Sequence, residues 1–361
     1  MITFLYIVGA LVLSIFLFVK MTPQLGRKPS GKRLEIIRNS PNYKQGIFQN
    51  KERTMMEPPP FEAFKAMLKK DPLRSPLIPL KTIPIDREKY LNSFSDDVLV
   101  TWLGHSTVLI KINGQTILTD PVFSKRASLF QFMGPKKFDY AHEFMVDELP
   151  PVDVVLLSHD HYDHLDYHVI KKMKKKAGRF VMPLGVGAHL ERWGVEASKI
   201  VELDWWEQIS INGITYTATP GRHFTGRFLN DRFNTFWCGW AVMSESKRIY
   251  FSGDSGYFDG FKAIGEKLGP FDLSIIECGQ YSKYWPEIHM TPEESVQAAI
   301  DVKSKQAIPM HWGKFKLSIH PWNEPPARFI KEAKEKALAA STPAIGETFE
   351  LSRIFSNEWW R

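Results

Sequence analysis

The chain has 361 residues, of which 43% are hydrophobic and 24% are charged, as is usual for a globular protein large enough to bury a sizeable core. Its two cysteines exclude the dense disulfide framework of a small secreted domain, and we expect Cys238 and Cys278 to be buried free thiols. The formal net charge of +7 favours an acidic partner: a phospholipid surface, a nucleic acid or an anionic substrate.

The chain begins with an apolar run over residues 2–19 that contains no charged side chain. As a helix rising about 1.5 Å per residue, this run approaches the roughly 30 Å thickness of a bilayer's hydrocarbon core. It lacks the basic start and the small-residue cleavage site of a secretory signal peptide. The pattern therefore predicts a transmembrane anchor over residues 1–20.

A basic cluster follows this run, and positive charge beside an anchor tends to stay on the cytoplasmic side. We therefore predict a single-pass membrane protein in which the domain that follows lies on the cytoplasmic side, with export as the alternative. The cluster could also hold the domain against anionic headgroups. Its members are Lys20, Arg27, Lys28, Lys32 and Arg33.

Residues 21–96 are rich in basic residues and proline, including Pro58–Pro60. Such a composition is typical of an extended segment, so we predict a juxtamembrane arm that packs on the domain of residues 97–361. Within it, a short amphipathic helix is expected near Phe61–Lys69.

From residue 97 to residue 361, short strand-like runs alternate with helical segments. Thr291-Pro292-Glu293-Glu294 has the capping-box pattern that begins a helix, with proline at its first position. Strands interleaved with helices indicate two sheets with helices outside them, an αββα sandwich. Strands are predicted at Val98–Leu103, Thr107–Ile112, Thr116–Thr119, Val154–Leu157, Phe180–Met182, Ile214–Ala218, Trp237–Met243, Arg248–Phe251, Leu273–Ile276 and Gln306–Pro309.

A cluster of metal-ligating side chains follows the apolar run Val154–Leu157. His159 and His161 are two residues apart in extended backbone, so both can point toward one ion. Asp163 and His164 follow where the chain turns, and they can face a second ion. Imidazole nitrogens together with carboxylate oxygens suit zinc best, with iron or manganese as alternatives.

Three further ligand candidates lie at the ends of strand-like runs and enter loops that contain glycine, where functional groups are commonly presented. They are His223, Asp254 and His311. With the four residues of the motif they make five histidines and two aspartates. This set is sufficient for two adjacent metal sites, so we expect two zinc ions per chain.

Other polar residues are candidates for supporting roles. His105 could lie behind the ligands, Asp120 could orient a ligand imidazole, and Asp160 points away from the ions. His289 precedes the capped helix and could donate a hydrogen bond to substrate. The remaining histidines, His142, His168, His189 and His320, are expected to be structural or exposed.

The order of these motifs resembles the metallo-β-lactamase superfamily and, at finer scale, its N-acylphosphatidylethanolamine-hydrolysing phospholipase D family. The narrow signals are Leu203-Asp204-Trp205-Trp206-Glu207 and His311-Trp312-Gly313-Lys314-Phe315. The resemblance implies hydrolysis of the distal phosphodiester bond of N-acylphosphatidylethanolamine, by attack of a metal-bridging hydroxide. The products would be phosphatidate and an N-acylethanolamine. The implied partners are a membrane phospholipid substrate and the bilayer.

The resemblance also implies roles for individual residues. One zinc would be held by His159, His161 and His223. The other would be held by Asp163, His164 and His311, and Asp254 would bridge the two ions. Asp163 and His289 are the predicted catalytic residues, with His289 positioning substrate or assisting the leaving group.

Three alternatives remain. A lactonase or sugar-phosphate hydrolase of the same fold, acting on a small soluble substrate, would use the same metals. A nuclease would account for the positive charge, but the sequence contains no recognisable RNA-binding module, so no nucleic-acid partner is expected. A scaffold without activity would lack ligands, whereas all seven are present. A homodimer is left open.

Overall fold

The computed structural model describes residues 2–55, 61–93, 98–228, 230–351 and 358–361. In the helices over residues 2–21 and 61–68 it describes only some of the side chains. Pro58–Pro60 and the predicted boundary between residues 96 and 97 lie outside the described residues. The helices are α1 Ile2–Met21, α2 Lys32–Asn39, α3 Phe61–Leu68, α4 Arg87–Asn92, α5 Tyr167–Met173, α6 Gly187–Arg192, α7 Gly260–Lys267, α8 Pro292–Asp301 and α9 Glu324–Glu335. The strands are β1 Tyr43–Lys44, β2 Ile47–Phe48, β3 Leu99–Trp102, β4 Val108–Ile112, β5 Gln115–Thr119, β6 Val152–Leu156, β7 Ala177–Pro183, β8 Ile200–Leu203, β9 Gln208–Ile211, β10 Ile214–Thr219, β11 Gly239–Met243, β12 Arg248–Phe251, β13 Leu273–Glu277, β14 Gln306–Met310, β15 Ala339–Ala340 and β16 Thr348–Glu350.

Two seven-stranded sheets form the centre of the fold. The first has the order β16-β3-β4-β5-β6-β7-β8 and the second has the order β15-β14-β13-β12-β11-β10-β9. In the first sheet β16 to β5 pair antiparallel and β5 to β8 pair parallel, and the second sheet repeats this division. All ten predicted strands overlap observed ones, whereas β1, β2, β8, β9, β15 and β16 were not predicted.

Helices cover the outer faces of the sheets. The main apolar core contains residues of both sheets, and it includes side chains of α5 and α6 such as Ile170 and Leu190. A second core packs Phe261, Val296 and Phe329, from α7, α8 and α9, against the other face of the second sheet. The predicted αββα sandwich is therefore confirmed. Cys238 and Cys278 are buried as free thiols.

The narrow motif Leu203–Glu207 joins the two sheets, because it connects β8 to β9. Trp205 is buried and donates its indole N–H to the carbonyl of Trp237, 2.7 Å away. The Glu207 carboxylate accepts the backbone N–H of Asp204 at 2.8 Å. The motif therefore holds the crossing between the sheets in one conformation.

The prediction for the start of the chain needs correction. A helix that crosses a bilayer needs about 20 consecutive, mainly apolar residues. Counting only residues whose backbone and side chain the structure describes, no helix is both long enough and apolar enough to cross a bilayer. By this criterion the predicted anchor over residues 1–20 is wrong. The single-pass membrane localisation is wrong with it, and the cytoplasmic placement of the catalytic domain, which was inferred from that anchor, no longer follows.

Part of the basic cluster is engaged by the protein itself. The Arg33 guanidinium forms ion pairs with Glu191 at 2.9 Å and with Glu202. The ammonium of Lys28 donates to the carbonyl of Asn230 at 2.6 Å. Because the Arg33 guanidinium has carboxylate partners within the domain, its charge does not require an anionic headgroup.

Candidate metal centre

The ends of four strands deliver the seven predicted ligands to one place. β6 ends at Leu156, just before the motif His159–His164. In the second sheet β10, β12 and β14 run in the same direction, so their carboxyl ends share one edge. The loops that follow these three strands carry His223, Asp254 and His311.

Three imidazoles form the first group of side chains that could hold an ion, and these are His159, His161 and His223. His161 Nδ1 lies 2.8 Å from His159 Nε2 and 3.4 Å from His223 Nε2. Each of these nitrogens therefore lies closest to another ring nitrogen, whereas a buried ring nitrogen usually pairs with an oxygen. Three converging nitrogens form a donor set that suits one cation.

The second group comprises Asp163, His164 and His311, with His105 beside them. His164 Nε2 and His311 Nε2 are 3.3 Å apart, and each lies 3.5 Å from Asp163 Oδ2. The backbones of His105 and His311 have positive φ values of 57° and 70°. Such strained backbone at non-glycine residues is found mainly at functional sites.

Asp254 lies between the two groups. Its Oδ2 is 3.0 Å from His164 Nε2 and 3.1 Å from His311 Nε2. The same oxygen is 3.9 Å from His159 Nε2 and 3.8 Å from His223 Nε2. Its other oxygen, Oδ1, is buried without a hydrogen-bond partner among the described residues. A buried carboxylate oxygen without a donor fits a cation, because leaving such a group unpaired is costly.

Acceptors behind the rings fix the tautomers of the histidines. His164 Nδ1–H donates to Asp120 Oδ2 at 2.8 Å, and His223 Nδ1–H donates to the carbonyl of Ile288 at 2.9 Å. His159 Nδ1–H donates to Ser158 Oγ at 2.9 Å. In each ring these acceptors hold a proton on Nδ1, so Nε2 faces the centre and is the nitrogen that would bind an ion once it is unprotonated.

Burial and neighbouring charges set the ionisation of the site. Burial lowers the pKa of His159 well below its ordinary value and lowers that of His105 to about 3, so both rings are neutral at pH 7. Burial also acts to lower the pKa of His164, but Asp254 and Asp163 outweigh it and hold that pKa well above the ordinary value. The Asp163 carboxylate accepts a hydrogen bond from His105 Nε2 at 2.8 Å.

Two residues that hold the site were missed in the sequence. The side-chain amide of Asn50, in the arm, accepts the backbone N–H of His223 at 3.0 Å and donates to its carbonyl at 2.8 Å. Glu277, at the end of β13, is fully buried beside His289 and His311. Neither lies in a motif, and only the position of Glu277 at a strand end could have drawn attention to it.

Asp160 does not face the centre but joins three chain segments. Its carboxylate accepts hydrogen bonds from the Gly226 N–H at 2.9 Å, the Thr235 hydroxyl at 2.8 Å and His189 Nε2 at 3.1 Å. His189 Nδ1 in turn accepts the backbone N–H of Arg27 at 2.8 Å. The motif loop is thereby linked through His189 to the segment that follows α1.

That segment makes several contacts of its own with the domain. Trp193 Nε1 donates to the carbonyl of Pro23 at 2.7 Å, and Arg227 Nε donates to the carbonyl of Gln24 at 2.9 Å. The Arg227 guanidinium also donates to the carbonyls of Asp160 at 2.5 Å and Leu165 at 3.0 Å. One arginine therefore contacts both this segment and the motif loop.

A pocket opens in front of the centre, with about 940 Å³ of empty space, part of it open to solvent. His161, Asp163, Asp254, His289 and His311 form its polar side. Its other walls are mainly apolar, with one cation and one amide among them. These walls comprise Met55, Met67, Phe224, Arg232, Gln280, Tyr284, Trp285, Ile288 and Leu317.

Comparison with known proteins defines the class. Residues 115–312 match the family model of the β-lactamase superfamily domain. A solved metallo hydrolase of the archaeon Ignicoccus hospitalis has a similar fold, with a TM-score of 0.55 at 19% identity, over 70% of this chain and 98% of the other. The fold implies divalent metal binding, and the described histidines and aspartates supply a cluster for it. The protein is a metal-dependent hydrolase.

Two relatives narrow the family. An uncharacterized protein of Mycobacterium tuberculosis is 39% identical over 332 residues, covering 90% of this chain and 89% of the relative. The N-acyl-phosphatidylethanolamine-hydrolyzing phospholipase D 1 of Caenorhabditis elegans is 37% identical over 272 residues, covering 71% of this chain and 76% of the relative. The chain belongs to the N-acylphosphatidylethanolamine-hydrolysing phospholipase D-like family of the metallo-β-lactamase superfamily.

Proposed function

We propose that the protein is a zinc-dependent phosphodiesterase that cleaves N-acylphosphatidylethanolamine into phosphatidate and an N-acylethanolamine. The observation that carries the proposal is the pocket, which places apolar walls directly beside the candidate metal centre. An amphiphilic phosphodiester needs both surfaces, since its phosphate is anionic and its acyl chains are apolar. The 37% identity to the nematode phospholipase supports the same substrate class.

We assign the ligands from the two groups of converging atoms. His159, His161 and His223 would hold one zinc ion. Asp163, His164 and His311 would hold the other, with Asp254 between them. When bound, two such ions lower the pKa of a shared water and stabilise the charge on the phosphoryl oxygens. Asp163 is in addition a predicted catalytic residue, positioned by its hydrogen bond to His105.

Other residues of the pocket would bind the substrate. His289 lines the pocket with its side chain 13% exposed, so it can reach a bound phosphodiester. Arg232 adds a positive charge to a mainly apolar wall, with its guanidinium 5.0 Å from the Phe224 ring centroid. Met55 and Met67 line the wall, and Met67 shares α3 with the exposed Phe61 and Leu68, past which acyl chains would enter.

The test is hydrolysis by purified, zinc-loaded protein of N-acylphosphatidylethanolamine and plain phosphatidylethanolamine in detergent micelles. We expect N-acylethanolamine from the first substrate, detected by mass spectrometry. In water labelled with oxygen-18 the label should enter phosphatidate, because the new bond forms at phosphorus. If a preparation that cleaves bis(p-nitrophenyl) phosphate releases no N-acylethanolamine, the lipid assignment is contradicted. Cleavage of neither compound would sink the phosphodiesterase itself.

Matched histidine variants connect the activity to the site. His161→Ala removes a candidate ligand and should lower kcat by at least roughly 100-fold, since a missing ligand disrupts the bound ion. His142→Ala is the control, because His142 is partly exposed and pairs with Glu148 at 3.1 Å outside the centre. It should hydrolyse the lipid at the rate of the unaltered protein. Equal losses in both variants would contradict the assignment.

A further inference from the structure

Glu277 is a buried carboxylate at the end of β13, and its side chain has no exposed surface. Among the described residues it forms no ion pair with lysine or arginine. A buried carboxylate in a folded protein needs donors that compensate its charge. The donors available to Glu277 identify what it does.

One oxygen of Glu277 holds the backbone and the other faces two imidazoles. Oε2 accepts the backbone N–H of Met290 at 3.0 Å. Oε1 lies 3.2 Å from His289 Nδ1 and 3.4 Å from His311 Nδ1. The backbone of Glu277 is itself fixed, since its N–H donates to Ser252 Oγ at 2.9 Å and its carbonyl accepts from Ser295 Oγ at 2.7 Å.

The ring of His289 is also held from its sides. It stacks on His311 with ring centroids 5.1 Å apart and planes 16° from parallel, and it meets the His223 ring edge-on at 5.1 Å. Both neighbours are candidate ligands. The hydrogen bond from Nδ1 to Glu277 therefore decides which nitrogen of His289 carries its proton and which way the ring turns.

We propose that Glu277 is the positioning residue for substrate recognition by His289, an inference that rests on the proposed phosphodiester hydrolysis. Glu277 accepts the Nδ1–H of His289, so Nε2 at the opposite side of the ring serves the pocket. Among the described residues, none bonds to Nε2. Oε1 also lies 3.4 Å from His311 Nδ1, which is equally close to the carbonyl of Gly279, so the same carboxylate places the substrate-binding histidine beside a candidate metal ligand.

The first test needs no substrate. Long-range proton–nitrogen correlation spectra of the zinc-loaded protein report the tautomer of each histidine, and His289→Ala assigns the signals of His289. We expect His289 with its proton on Nδ1. A proton on Nε2 in the unaltered protein would overturn the inference, whether or not any variant folds. Because this measurement is independent of hydrolysis, it separates failure of the inference from failure of the proposed function.

The second test uses the isosteric variant Glu277→Gln. An amide has one acceptor oxygen, so it cannot accept from both Met290 N–H and His289 Nδ1–H. We expect kcat/KM for the lipid to fall about 10-fold, the effect of losing roughly one well-placed hydrogen bond. In the His289→Ala background the same change should lower kcat/KM by less than about twofold, because residues that act through one another are not additive. A full 10-fold loss in that background would overturn the inference.

The control is Glu294→Gln. The Glu294 carboxylate accepts the backbone N–H of Thr291 at 2.9 Å, next to Met290, but it does not contact His289. If Glu277 only supported this loop, both variants would behave alike. We expect Glu294→Gln to keep the kcat/KM and the His289 tautomer of the unaltered protein. The zinc content of every variant is measured, so that each kcat/KM refers to zinc-loaded protein. Equal kinetic losses in the two variants would contradict positioning through His289.

Discussion

The substitution Asp120→Asn probes how the candidate metal centre is held from behind. Asp120 is fully buried and accepts three hydrogen bonds. Its Oδ1 accepts from the Ser158 N–H at 2.7 Å, and its Oδ2 accepts from the Ser158 hydroxyl at 2.5 Å and from His164 Nδ1 at 2.8 Å. Asparagine has the same shape but replaces one acceptor oxygen with an NH₂ donor.

The expected size of the effect follows from these contacts. With the amide oxygen toward Ser158 N–H, the NH₂ group faces His164 Nδ1–H, and two donors cannot pair. His164 would relieve the conflict by carrying its proton on Nε2, which removes the lone pair with which Nε2 would bind an ion. Losing such a partner behind a ligand weakens metal binding by about 10- to 100-fold. This corresponds to about 1.4–2.8 kcal/mol.

Zinc affinity is measured by competition with a chromophoric chelator, and metal content by mass spectrometry. The matched control is Asp153→Asn on β6, where the carboxylate accepts the Thr116 N–H at 2.8 Å, away from the centre. We expect the control to bind zinc as the unaltered protein does. If folded Asp120→Asn binds zinc within twofold of the affinity of the unaltered protein, the tautomer that Asp120 imposes on His164 is not needed for zinc binding.

Three further predictions concern the arm, a buried lysine and the metal. Asn50→Ala removes both hydrogen bonds to the His223 backbone and should lower the free energy of unfolding by about 1–3 kcal/mol, measured by urea titration. The control Gln49→Ala loses one exposed hydrogen bond and should change that free energy little. Burial lowers the pKa of Lys314 to about 7 from 10.5. The unfolded chain therefore binds that proton more tightly than the folded protein does, so the free energy of unfolding should rise with pH between about 7 and 10.5. Lys314→Met should flatten this rise. An unchanged slope in the variant would contradict the role of Lys314. Removing metal with a chelator should lower the melting temperature, because zinc at 100 times its Kd stabilises the fold by about 2.7 kcal/mol, and added zinc should restore it.

The parts of this molecule that follow from local patterns could be predicted from the sequence. Apolar runs marked ten of the strands, and Thr291 begins α8 with the capping box that its sequence predicts. The motif His159–His164 was recognisable because all its members lie within six positions after β6. The four edge strands of the two seven-stranded sheets, β8, β9, β15 and β16, were missed, since they are short and mostly half-buried or exposed and so leave a weak pattern.

Contacts between distant segments could not be read in the same way. Glu277 continues the apolar run of β13, and its significance depends on His289 and His311 from two other loops. Asn50 acts on His223, which lies 173 positions away. The anchor prediction rested on the composition of an apolar run, and no described helix meets the criterion of length and apolarity for crossing a bilayer.

The hydrogen bonds that follow α1 make Trp193 a natural reporter. Its indole N–H is bonded to Pro23, and its ring is buried against Tyr167 and His189. Removing residues 1–27 would uncover this ring and shift its fluorescence to longer wavelength. It would also take the Arg27 N–H from His189 and so loosen the support of Asp160. Proteins cut from the amino end therefore differ from the full chain at the metal loop, and their activities report more than the loss of a terminal helix.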